Sequence, residues 1–149
     1  MKDIFDPAEA AALKQRIENL LPDTKPVWGK MNVAQMLSHL QAAIEVALGE
    51  KKLKKSLMGM LLGSFARKVL LNEKPFGKSL PTDPSYIRAG QHDFDTEQQK
   101  LLALITKLVV AGKDGLIKEA HPFFGKMTPD QWSWSLYKHV DHHLRQFGA

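Results

Sequence analysis

The chain has no cysteine among its 149 residues, which excludes a disulfide framework, a thiolate metal site and a cysteine nucleophile. Any bound metal must therefore be held by nitrogen and oxygen. It also lacks a long uninterrupted apolar run. The most hydrophobic stretch, SLMGMLLGSFARKVLL over 56–71, is shorter than a spanning helix and contains Arg67 and Lys68, so no membrane partner is expected. Strand-like alternation persists nowhere. The motifs GxSxG, GxxxxGK[ST] and HExxH are all missing, which removes a hydrolase nucleophile elbow, a phosphate-cradling loop and the zinc-protease helix. Basic residues give a net charge of +5 but are spread out. The one dense run, Lys51, Lys52, Lys54 and Lys55, has no interleaved aromatic residues and reads as a solvated loop flanking a helix, so no nucleic acid is expected. The beginning, MKDIFDPAEAAALKQ, turns acidic and amphipathic without the apolar region of a signal peptide, and a cytoplasmic location is expected.

What is present is a succession of helix starts. A hydrophobic content of 44% over 149 residues suits one globular domain spanning 1–149. Asp6, Pro7 and Glu9 offer an N-cap, a first-turn proline and a capping-box acid before AAALKQRIENLL, which stops by Pro22. Asn32 with Gln35 opens VAQMLSHLQAAIEVAL, ending at Gly49. Residues 56–71 read as a helix weakened by Gly59 and Gly63. Pro75, Gly77, Pro81, Pro84 and Gly90 break the stretch from Asn72 to Asp95 into a long crossover. Asp95 or Thr96 then caps TEQQKLLALITKLVVAG, and Thr128, Pro129 and Gln131 open a last helix running to about Phe147. The expected fold class is all-α, a four-helix bundle with a long crossover and an extra short helix.

Two segments echo one another. PVWGKMNVAQM (26–36) and PFFGKMTPDQW (122–132) share proline, glycine, lysine, methionine and glutamine at the same offsets, each just before a histidine-bearing helix. Either both solve the same local problem, a glycine turn followed by a capping box, or the two halves share a duplicated helix pair.

Three of six histidines crowd the final helix in YKHVDHHLRQFG. Residues four apart lie about 40° from one another around a helix, so His139 and His143 can face one ion, whereas His142 lies about 100° from His143. A metal site of this kind wants a third protein ligand. His39, flanked by Leu37, Leu40 and Ile44, would alone be read as a hydrogen-bonded core residue. Beside the HxxxH pair it is the candidate third ligand. Three imidazoles without a carboxylate leave a position for water, as in catalytic sites, where bound water is acidified toward neutrality. Asp141, two residues from either ligand, should point away as an exposed or outer acid.

These residues resemble the DinB/YfiT-like superfamily of metal-dependent four-helix bundles. HPFFGKMTPDQWSWSLYKHVDHHLRQFG and WGKMNVAQMLSHL are similar to the C- and N-terminal signatures of a bacterial branch without an assigned function, and the resemblance covers essentially the whole chain. It implies a metal triad of His39, His139 and His143, a zinc or nickel ion, an up-down-down-up bundle that often forms a homodimer, and either hydrolase or low-molecular-weight thiol transferase activity. The superfamily's usual HHRGQ ending stands here as HHLRQ. No role is carried over for the arginine, while Gln146 keeps its offset. The alternative is a non-catalytic bundle that binds a metal or small ligand.

Further candidates have simpler readings beside them. Gln35 could approach the ion but is explained by its capping box. His121 could enter a pocket or serve as a turn residue, and His142 could flank the site. Trp28, Trp132 and Trp134 read as core staples or a pocket mouth, and His92 as solvated.

Overall fold

The expected helix starts are built from side-chain caps. In the computed structural model, which describes residues 1–54, 57–78, 86–121 and 123–149, five α-helices and no strand occur among the described residues. They are α1 (Pro7–Glu18), α2 (Val33–Ala47), α3 (Leu57–Leu71), α4 (Phe94–Ala111) and α5 (Pro129–Gln146), with a 3-10 turn at Lys113–Gly115. The fold class is all-α, as the sequence pattern predicts. Asn32 and Thr128 each accept the backbone N–H three residues on, and Gln35 and Gln131 reach back to the caps' own N–H groups, so both expected capping boxes form.

Several boundaries differ from expectation for local reasons. Asp6 accepts from the Ala8 and Glu9 N–H groups, but the Glu9 carboxylate holds the Lys2 ammonium at 2.9 Å instead of closing a box. α4 starts earlier than expected. Its cap is Asp93, not Asp95 or Thr96, because the Asp93 carboxylate accepts the Thr96 N–H at 2.9 Å. Asp95 then falls in the first turn, where negative charge suits the helix dipole. The helix expected over 56–71 forms as α3, whose 15 residues equal α2 in length. Its Gly63 has a packing role: a Cβ there would lie 2.3 Å from the Phe123 carbonyl oxygen, so only glycine lets α3 approach the turn at 121–125. The crossover ends at Asp93, and its expected breakers Pro81 and Pro84 lie outside the described residues, as does Lys55 of the basic run.

α2 packs along α4, and α5 touches α1, α2 and α3. Ala10, Leu13 and Ile17 form the buried stripe of α1, and Leu101, Ile105 and Leu108 that of α4. α2 is buried around most of its circumference, so a histidine on it enters the interior. The α3–α5 seam is closed by buried Lys138, whose ammonium donates to the carbonyls of Val69 at 2.8 Å, Leu70 at 3.3 Å and Asn72 at 2.9 Å. A cation there satisfies the open C-terminal carbonyls of α3, and burial pushes its pKa down to about 8. Leu61 and Phe65, four apart on α3, face outward at 82% and 68% exposure. No described helix is long and apolar enough to cross a membrane.

Candidate metal centre

Helical phase sets His139 and His143 on one face of α5, and the α2–α5 contact brings them to His39. One ligand nitrogen from each lies within 4.8 Å of the other two. His39 Nε2 and His139 Nε2 are 2.9 Å apart, and the ring centroids of His39 and His143 are 4.7 Å apart. Tetrahedral zinc with Zn–N near 2.0–2.1 Å needs nitrogens about 3.3 Å apart. The close pair must therefore open slightly, and the widest separation close by at most about 1.5 Å. Small ring rotations supply movements of this size.

Two of the three histidines are held in the tautomer that leaves Nε2 able to accept a metal ion. His39 Nδ1–H donates to the Tyr86 carbonyl at 2.8 Å. A neutral imidazole has one N–H, so its Nε2 carries the lone pair. His143 Nδ1 meets Gln146 Oε1 at 2.7 Å. The amide's orientation is set at its other end, where Gln146 Nε2 donates to the Trp28 carbonyl at 2.8 Å. Oε1 is thus the acceptor, Nδ1 of His143 the donor, and Nε2 is again left for an ion. With no ion between the rings, the Nε2–H of His139 can donate to Nε2 of His39 across the 2.9 Å separation.

The electrostatics point the same way. Burial, opposed by the Tyr86 hydrogen bond and assisted by Arg88, holds His39 below the usual histidine value. Burial, then the neighbouring His39, His143 and His142, drives His139 well below it. His143 is pushed down to about 3, chiefly by burial and next by His39. All three imidazoles are neutral at neutral pH, the form that ligates a cation.

The other candidate residues stand outside the three-histidine group. The His142 ring stands edge-on to Trp28 at 5.9 Å and Phe76 at 5.5 Å, making an aromatic wall beside the cluster, and burial holds its pKa down. Gln35 has its oxygen on the Asn32 N–H at 3.0 Å and its amide on the Gly90 carbonyl at 3.1 Å, so it ties the crossover to α2. His121 is buried. Its Nδ1 accepts the N–H groups of Phe123 at 3.0 Å and Phe124 at 3.2 Å, and its Nε2 meets the Tyr86 hydroxyl at 3.3 Å. Asp141 is turned from the cluster and bound by Arg16 at 2.8 Å and Arg145 at 2.9 Å. His92 is not solvated as expected: it is partly buried against Glu97 at 3.3 Å. Trp132 and Trp134 are core residues. An open groove of about 850 Å³ lined by Arg16, Trp134, Lys138 and Asp141 lies on another face of α5 and contains none of the three histidines.

Sequence reasoning missed Tyr86 altogether, because its contribution is a backbone carbonyl with no residue-type signature. Gln146 was visible only by its place three residues, and so one turn, beyond His143.

Fold and cluster together define an all-helical protein whose interior brings three histidines into an arrangement able to hold a metal ion. Residues 5–149 match the model of a family described as a protein of unknown function, DUF1569. The chain belongs to the DUF1569 family. No curated protein and no solved structure matches it.

Proposed function

We propose that the protein is a divalent-metal-dependent enzyme, a hydrolase or low-molecular-weight thiol transferase, with zinc or nickel held by His39, His139 and His143. In this reading α1, α2, α4 and α5 are the four helices of a DinB/YfiT-like bundle and α3 is an addition. One observation carries the proposal: the Nδ1–H groups of His39 and His143 are each engaged by a fixed oxygen, the Tyr86 carbonyl and Gln146 Oε1, which leaves both Nε2 lone pairs free within a cluster whose ligand nitrogens lie within 4.8 Å of one another. A core of merely satisfied histidines has no need of two such locks converging on one point.

His39, His139 and His143 would hold the divalent ion, which would supply Lewis acidity and lower the pKa of a water or thiol nucleophile. The chain's own residues orient the ligands through Tyr86 and Gln146, keep them neutral through burial, and bound the site on one side with His142, Trp28 and Phe76. The deep burial of His39 at 4% and His143 at 9% exposure favours one second reading, a non-catalytic ion that pins α2 to α5.

Turnover separates the two. Zinc- and nickel-loaded protein is assayed with ester, amide and phosphoester substrates, and with small thiols plus an electrophile. The enzyme reading expects metal-dependent turnover that disappears in His139→Ala. No turnover in any arm, with a large loss of stability on chelation, would establish the structural ion instead.

A further inference from the structure

We infer that His121 is a positioning residue of the metal centre, acting through Tyr86 to hold the His39 imidazole in its ligating tautomer. The inference rests on the metal-centre reading above and assigns to the 121–125 turn a part in it.

His121 and Gly125 exchange backbone hydrogen bonds, both at 2.9 Å, and Gly125 takes φ 73°, a left-handed value that suits glycine. α3 closes over the turn through Gly63. The His121 ring packs on Phe124 at 4.7 Å and Trp132 at 5.5 Å. Because Nδ1 accepts two backbone N–H groups, the ring proton resides on Nε2, and Nε2–H is the donor to the Tyr86 hydroxyl at 3.3 Å. Tyr86 is thereby held at both ends: its hydroxyl by His121 and its carbonyl by His39 Nδ1–H at 2.8 Å. Four residues on, Gln35 holds the Gly90 carbonyl at 3.1 Å, so the backbone segment that faces His39 is tied down on each side of Arg88.

Two separate chains of hydrogen bonds thus reach the cluster. The Trp28 carbonyl orients Gln146 and through it His143 Nδ1. His121, the residue just before the second echoed segment, orients Tyr86 and through it His39 Nδ1. If the His121–Tyr86 link is lost, the Tyr86 carbonyl is no longer fixed opposite Nδ1, and the His39 ring can rotate or exchange its proton between nitrogens.

The test measures zinc affinity by chelator competition, and the visible absorption of the cobalt(II) form, for wild type, Tyr86→Phe, His121→Asn and the double variant. Tyr86→Phe deletes only the hydroxyl. In His121→Asn the amide oxygen can replace Nδ1 as acceptor for the turn while the Nε2 edge is removed, so the turn keeps its cap. Each single change is expected to weaken zinc binding about tenfold or more and to alter the cobalt spectrum, and the double variant to be no weaker than the worse single one. Wild-type affinity and spectrum in both single variants, even with lowered stability, would overturn the inference while leaving the metal centre standing. Losses that multiply in the double variant would also overturn it, because the two residues would then act independently. A wild type that takes up neither metal would overturn the centre and this inference together.

Discussion

Replacing Gln146 by leucine tests the ligand-locking argument at its best-defined point. The side chain is 5% exposed and bridges His143 Nδ1 at 2.7 Å to the Trp28 carbonyl at 2.8 Å. Leucine of similar size removes both bonds and strands a buried N–H, costing about 1–3 kcal/mol, and a partly buried carbonyl, costing less. The metal-free protein should lose about 2–5 kcal/mol in urea denaturation, and zinc affinity should fall roughly 10- to 100-fold as the His143 tautomer is released. Gln146→Glu separates the two effects. A carboxylate still accepts from His143 Nδ1 but cannot donate to Trp28, so stability should fall while zinc affinity stays near wild type. If the leucine variant lost less than about 1 kcal/mol and bound zinc normally, the hydrogen-bond chain from the Trp28 turn to the cluster would have no energetic content, and the reasoning would fail.

Acidification should destabilise the metal-free protein. The three histidines titrate below their ordinary value of 6.5 when folded, so below that pH the unfolded chain binds more protons and stability falls as pH drops, by roughly 1.4 kcal/mol per unit for each ring that stays neutral. This contribution is fully present above pH 6.5 and continues to be lost toward pH 3 for His143; urea midpoints unchanged between pH 7 and pH 4 would contradict it. Lys138→Met should cost about 1–3 kcal/mol by uncapping α3 without changing zinc affinity, and equal denaturation midpoints would refute the capping role. Gly63→Ala has the opposite sign to helix propensity, which alone would favour alanine by about 1 kcal/mol. Its Cβ meets backbone oxygen at 2.3 Å, so a fall in thermal midpoint is expected and a rise would show that α3 does not press on the 121–125 turn.

The parts of the structure that the sequence discloses are those decided within a few residues. Asn32 with Gln35 and Thr128 with Gln131 cap as their spacing predicts because both partners lie in one turn. The pairing of His139 with His143 follows from helical phase, and the absence of cysteine narrows any third ligand to nitrogen or oxygen. Where several capping residues crowd together, the reading slips. The sequence points to Asp95 or Thr96 as the cap of α4, whereas the reach of the Asp93 carboxylate to the Thr96 N–H puts the cap at Asp93. Long-range backbone chemistry leaves no trace in residue types. The Tyr86 carbonyl lies 47 residues from the histidine it orients, and Gly63 reads as a weak helix position until the Phe123 carbonyl stands against it. Lys138, in a run rich in charge, looks like a surface residue although it closes the seam between α3 and α5.

The measurement closest to the central claim is the metal content of protein purified without a histidine tag, by elemental analysis, for wild type beside His39→Ala, His139→Ala and His142→Ala. The account predicts close to one zinc or nickel per wild-type chain, natively or after loading, with loss of the ion in the first two variants and retention in His142→Ala. A wild type that binds neither metal, or a His39→Ala variant that binds as well as wild type, would contradict a centre shared between α2 and α5.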